Sequence, residues 1–172
     1  MRQGLLFIAA ALSMTGLVSC SPSVTSEETL FENAISDLEN VLTLSGLEMD
    51  RQVTSDGNGS IKIVASEPAT VRLFEVDNID VDDTRLVYRA RVRTEAVQGQ
   101  VYLEMWCRLP GQGEFFSRAV HAPISGSTEW VWQETPFFLK KNQKPDLIKL
   151  NIVVDGSGTV WIDEVALARS LP

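Results

Sequence analysis

An all-β sandwich is the fold class that this sequence predicts. Beyond Gly46 the three-to-four residue apolar period of a helix disappears, and short runs rich in Val, Ile, Leu, Tyr and Trp replace it. These runs, at 61–64, 70–76, 86–93, 100–108, 130–134, 147–154 and 159–167, are separated by turn-forming residues such as Ser55-Asp56-Gly57-Asn58-Gly59. The chain has 172 residues, 44% of them hydrophobic and 22% charged, which suits one domain with a core large enough to stand alone.

The elements follow in order. Arg2 precedes an apolar run at 5–12, the length of a secretory hydrophobic region and too short to span a bilayer comfortably. Leu17-Val18-Ser19-Cys20 then resembles the bacterial lipobox, in which the Cys is the site of cleavage and lipidation. The resemblance implies a signal peptide at 1–19, a lipid on Cys20 and an extracytoplasmic address. Ser21 stands where lipoproteins kept at an inner membrane usually carry Asp, so the same resemblance points to the outer membrane in a cell that has one. Residues 20–26, small, polar and interrupted by Pro22, read as a lipid-anchored tether.

A short N-terminal helix is expected at 27–43. Thr25 and Glu28 fit a capping box, and Leu30, Phe31, Ala34, Ile35, Leu38, Val41 and Leu42 recur at helical steps. The stripe packs on the domain behind it or seats a partner, and a strand entry near Phe31 is the remaining alternative. The sandwich is expected over 44–172.

Two of the predicted strands resolve by face. In 86–93, Leu86, Tyr88, Ala90 and Val92 share one side, with Arg89, Arg91 and Arg93 on the other. In 100–108, Val101, Leu103, Met105 and Cys107 form the apolar side, and Tyr102, Glu104, Trp106 and Arg108 oppose them. If 94–99 turns the chain, the two strands make a hairpin. Arg89, Arg91, Tyr102, Glu104, Trp106 and Arg108 then form one patch of guanidinium, carboxylate and aromatic groups. Such a patch suits sugars, which stack apolar C–H faces on rings and share hydroxyl hydrogen bonds with planar polar groups. The alternative is a solvated face laced by Arg and Glu pairs. Trp130 and Trp132 share a parity that either extends the platform or sends one ring into the core. The Gly-flanked Phe115 and Phe116 stand either at a binding-loop tip or on a return into the sandwich. Cys107 reads as a buried, unreactive thiol.

The closing run Gly156-Ser157-Gly158-Thr159-Val160-Trp161-Ile162-Asp163-Glu164-Val165-Ala166-Leu167 resembles the last strand of jelly-roll carbohydrate-binding modules and related galactose-binding-like domains. Asp56-Gly57-Asn58-Gly59-Ser60-Ile61-Lys62-Ile63 is similar to their opening strand, and Glu129-Trp130 with Glu134 and Phe137-Phe138 to their Trp-containing penultimate segment. The likeness covers about 45–170. It implies a jelly-roll sandwich that binds glycans, and it implies a structural calcium held partly by Asp163. Read from the residues alone, Asp163 equally serves as a hydrogen-bond acceptor for a turn.

Composition narrows the function classes. With 15 Lys and Arg against 23 Asp and Glu, a net charge of −8 disfavours nucleic acid as a partner. Two cysteines form no disulfide framework, and a single histidine, His121, forms no His-rich metal centre. No nucleophile-elbow, zincin, P-loop or dinucleotide motif is present. Glu104, Glu114, Glu129 and Glu134 offer the carboxylates that a glycosidase pair needs. The leading expectation is non-catalytic binding of a glycan or glycoconjugate at the cell envelope. A protein-interaction module contacting an envelope protein is the alternative, and a glycoside hydrolase the second.

Overall fold

The structure, a computed structural model, describes residues 26–170; the expected signal peptide, Cys20, and the tether up to Thr25 lie outside the described residues. The described chain is all-β. Its strands are β1 (Glu27–Asn33), β2 (Leu47–Asp50), β3 (Ser60–Ala65), β4 (Ala69–Asp77), β5 (Arg85–Leu109), β6 (Gly113–Arg118), β7 (Ile124–Phe138) and β8 (Leu147–Ser170).

Two strands organise the rest. A straight run the length of β5, 25 residues, would reach about 80 Å, well beyond a domain whose radius of gyration is about 15 Å. Both β5 and β8 therefore bend and serve two sheets. In the first sheet, the N-terminal half of β5 lies between β7 and the C-terminal half of β8, which β1 and β3 flank, with β2 beyond β3. In the second, the order is β4, the N-terminal half of β8, the C-terminal half of β5, and β6. Leu86, Tyr88, Ala90 and Val92 of the first sheet share one buried core with Val101, Leu103, Met105 and Cys107 of the second. The inward positions change from even to odd between Val92 and Val101 because the register with β8 shifts between Glu95 and Gln98.

The corner is built from glycine. Gly99 and Gly156 face each other in register at positive φ, +111° and +152°. A Cβ on Gly99 would lie 2.1 Å from the Asp155 carbonyl oxygen, and one on Gly156 would lie 1.9 Å from that of Gln98. The two strands can cross this closely only without side chains.

This corner corrects the expected hairpin. Residues 86–93 and 100–108 do not pair with each other; they are successive parts of one strand that passes from sheet to sheet. The segment read as a turn is a bulged extension of it.

The helix expected at 27–43 is also corrected. Glu27–Asn33 is a strand that pairs antiparallel with β8, from Glu27 opposite Ser170 to Asn33 opposite Val165. A bulge between Thr29 and Phe31 places Leu30 and Phe31 both partly against the core, which mimics helical spacing in the sequence. Ile35 and Asn40 adopt positive φ, 26° and 67°, and the Asn33 and Asp37 carboxamide and carboxylate accept hydrogen bonds from the backbone N–H groups of Ile35 and Glu39. Local turns of this kind compete with a helix. Ile35 and Val41 are nevertheless buried, so the apolar stripe does pack on the domain.

Candidate functional site

Antiparallel register arranges the outer face of the second sheet in rows. Because β4, β8, β5 and β6 are neighbours, Arg72, Asn151, Glu104 and Arg118 stand side by side in one row across all four strands. The next row carries Glu75, Lys149, Trp106 and Phe116, and the row on the other side Thr70, Val153 and Tyr102. A trough of about 340 Å³ lies over the central row, lined by Thr70, Arg72, Glu104, Trp106, Glu114, Arg118, Lys149 and Asn151. An adjoining hollow of about 260 Å³ shares Thr70 and Arg118 and continues past Tyr102 to Pro68 and Asp155.

The floor is polar and held in place. Glu104 is 3% exposed. Its carboxylate accepts from Arg118 Nε at 2.6 Å and from Asn151 Nδ2 at 3.0 Å. Burial alone would push this carboxyl up, but hydrogen bonds from Asn151, Trp106 and Arg118, together with the Arg118 charge, hold it below the usual carboxylate range. Asn151 is 4% exposed, and its Oδ1 has no hydrogen-bond partner. An orphaned buried acceptor costs roughly 1–3 kcal/mol.

One wall is aromatic. The Trp106 and Phe116 ring centroids are 4.9 Å apart, and the Arg118 guanidinium sits 4.5 Å from the Phe116 centroid. At one end Lys149 pairs with Glu114 at 2.6 Å.

The structure divides the six residues expected to form one patch. Tyr102, Glu104 and Trp106 line the trough or its adjoining hollow, and Arg108 continues the same face, tied to Asp146 at 2.7 Å. Arg89 and Arg91 lie on the outer face of the first sheet. Since the two sheets share a core, their outer faces point away from each other, and the bend in β5 separates what period-2 alternation alone would join. Arg89 pairs with Glu27 at 2.9 Å and Arg91 with Glu164 at 3.3 Å; Arg91 also lies 4.7 Å from the Trp132 centroid. That face is a ladder of ion pairs extended by Arg93 with Glu129 and Arg169 with Glu28.

Neither Trp130 nor Trp132 fills the core, and Trp132 is 51% exposed. Phe115 and Phe116 do not return into the sandwich: both are exposed on the edge strand β6, where Phe116 packs against Trp106. Sequence reasoning missed Arg118, Asn151 and Arg72 as site residues. Alternation along 113–118 already groups Glu114, Phe116 and Arg118, but joining them to Asn151 and Arg72 requires the register. Cys107 is free and buried, with its thiol pushed up to about 12 by desolvation.

Asp163 is fully buried within β8, opposite Arg91 and between the stretches that pair with β3 and β1. Its Oδ2 accepts from the Ser55 backbone N–H at 3.0 Å and the Ser55 hydroxyl at 2.8 Å, and its Oδ1 from the Glu164 N–H at 2.8 Å. Burial pushes this carboxyl up against those hydrogen bonds. Calcium takes six to eight oxygen ligands. Here N–H and O–H donors occupy the carboxylate, Arg91 supplies positive charge to the adjacent Glu164, and among the described residues no group of three or more His, Cys, Asp or Glu gathers around a common point. The donor set does not fit calcium; it fits the hydrogen-bonded turn.

Of the four acids weighed for glycoside hydrolysis, Glu104 and Glu114 line the trough, each engaged by a cation. Glu129 and Glu134 belong to β7 and pair with Arg93 and Arg85 of the first sheet.

This sheet order and shared core define a jelly-roll β-sandwich of the kind found in carbohydrate-binding modules. No protein-family model matches the chain, and no curated protein does. Among solved structures it is similar to the CBM22-1 xylan-binding domain of Paenibacillus barcinonensis Xyn10C, with a TM-score of 0.63 at 10% identity, covering 87% of this chain and 99% of that one. A family 16 carbohydrate-binding module matches at a TM-score of 0.54 and 10% identity, over 71% of this chain and 84% of that one. The CBM22-1–GH10 portion of Clostridium thermocellum xylanase 10B matches at 0.60 and 9% identity, over 81% of this chain but 28% of that one.

Proposed function

We propose that this chain binds a glycan without transforming it, using the trough on the outer face of the second sheet, and that a lipid on Cys20 holds it at the cell envelope. The observation that carries the binding reading is the central row itself. Glu104 fixes Arg118 and Asn151 in place, and the Trp106 ring lines the same trough. A sugar ring stacked on Trp106 would bring hydroxyl oxygens to the guanidinium N–H groups that line the same trough. The likeness in fold to carbohydrate-binding modules supports the same reading. A non-catalytic role is favoured because both trough carboxylates are engaged by cations and Glu104 is kept ionised, whereas a glycosidase acid needs a raised pKa.

A glycan array probed with the full chain tests this. The expected result is saturable binding to a restricted set of glycans that Trp106→Ala weakens about tenfold or more, in line with lost stacking and its desolvated neighbours. Absence of binding to any glycan, or full affinity in Trp106→Ala, would overturn it. Release of reducing ends from a bound polysaccharide would overturn the non-catalytic part alone.

A further inference from the structure

We propose that the glycan carries a carboxylate, as in a uronic acid residue, and that Arg72 receives it; this inference rests on the glycan-binding reading of the trough. The cations lining the trough are not equivalent. Arg118 gives its Nε to Glu104 and Lys149 pairs with Glu114. Arg72 lines the trough from the opposite bank, on β4, and its side chain makes no ion pair among the described residues. Two acids therefore stand against three cations in the trough lining, and Arg72 is the cation left without an ion-pair partner among the described residues. Two further acids stand outside that lining: Glu75, one row along on β4, and Asp155, in the adjoining hollow beyond the Tyr102 row.

Register gives that charge a defined neighbour. Arg72 stands directly opposite Asn151, and adjacent strands are about 4.8 Å apart. A sugar ring over the central row thus lies beside Arg72, whose guanidinium takes an acceptor. A neutral hydroxyl leaves the guanidinium charge unanswered. A carboxylate answers it and matches the planar fork with two parallel hydrogen bonds. Arg118, with its two terminal nitrogens free of Glu104, faces the same space and reinforces the preference for an anion.

Matched ligands make the test. Oligosaccharides of galacturonate, glucuronate and mannuronate are each titrated against the full chain beside their carboxyl-reduced, neutral counterparts. The expected result is that one acidic series binds about tenfold or more tighter than its reduced partner, as a charge-assisted pair implies, and loses that advantage in 0.5 M salt. Arg72→Gln, at an exposed position, should remove most of the advantage while leaving the melting temperature unchanged. Equal affinity for acidic and reduced partners overturns the inference and leaves the glycan reading standing. So does an acidic preference that survives Arg72→Gln, because the charge is then read elsewhere. If no saccharide binds at all, acidic or neutral, the glycan reading fails and the inference with it.

Discussion

Glu104 and Asp163 are both buried carboxyls, yet they relate to pH with opposite sign. Asn151, Trp106 and Arg118 hold Glu104 below the usual range, so the stability it supplies is present above the ordinary carboxyl pKa and is lost as pH falls through its lowered folded value. Asp163, raised by burial, favours the fold below the ordinary value, and that contribution is lost as pH rises through its own. Glu104→Gln should therefore destabilise the protein at neutral pH by about 1–3 kcal/mol, the range for leaving buried partners of a charged group unsatisfied. It should also flatten the acid limb of stability, which denaturant melts between neutral and acidic pH would record. An undiminished acid limb would place the titration elsewhere. At Asp163, the Ser55 and Glu164 donors occupy the sites that a cation would need, and the melting temperature should be the same in excess calcium and in chelator. A clear rise with calcium would mean that Ser55 yields its place. Residue roles were readable to the extent that they depend on parity within one strand: Tyr102, Glu104, Trp106 and the buried Cys107 fall on the faces that alternation assigns. Asn151 and Arg72 were not readable, since their neighbours come from strands distant in sequence.

At the scale of the element, the two misread segments share a physical origin. Gln98-Gly99 carries turn-forming composition, but its glycine serves a close strand crossing, and sequence composition does not distinguish a reversal of direction from a bend that continues forward. The 27–43 stripe fitted a helix because a bulge in β1 turns two successive side chains towards the core and the following turns bury Ile35 and Val41. The apolar positions were legible; their local geometry was decided by pairing with β8. The corner makes a direct prediction. Gly156→Ala must displace the Gln98 backbone, 1.9 Å from the added carbon, and should cost more than about 3 kcal/mol, at the upper end of backbone strain penalties. Gly111→Ala shares a positive φ, +74°, but meets nothing within 4 Å, and should cost only about 1–2 kcal/mol. Equal costs in chemical denaturation would show that steric crossing is not what holds the two halves of β5 and β8 in place.

For the whole molecule, the sandwich class was legible from the succession of short apolar runs, and the jelly-roll form from the closing Trp161 to Leu167 run. What escaped was that β5 and β8 each serve both sheets, which gives the protein two outer faces of different character. One is a ladder of Arg and Glu pairs crossed by Trp132; the other is the trough. The proposed attachment is independent of both, and Cys20→Ala should leave the full-length protein without acyl mass and outside the detergent phase. An acylated Cys20→Ala protein would refute it. The central claim, that ligand is met by the second sheet and not the first, is tested most directly by titrating isotopically labelled protein with a glycan it binds and following side-chain resonances. The account predicts progressive shifts at the Trp106 indole, the Asn151 amide and the Arg118 Nε–H, with the Trp132 indole and Arg91 unmoved. Shifts at Trp132 and Arg91 with a silent Trp106 would contradict it.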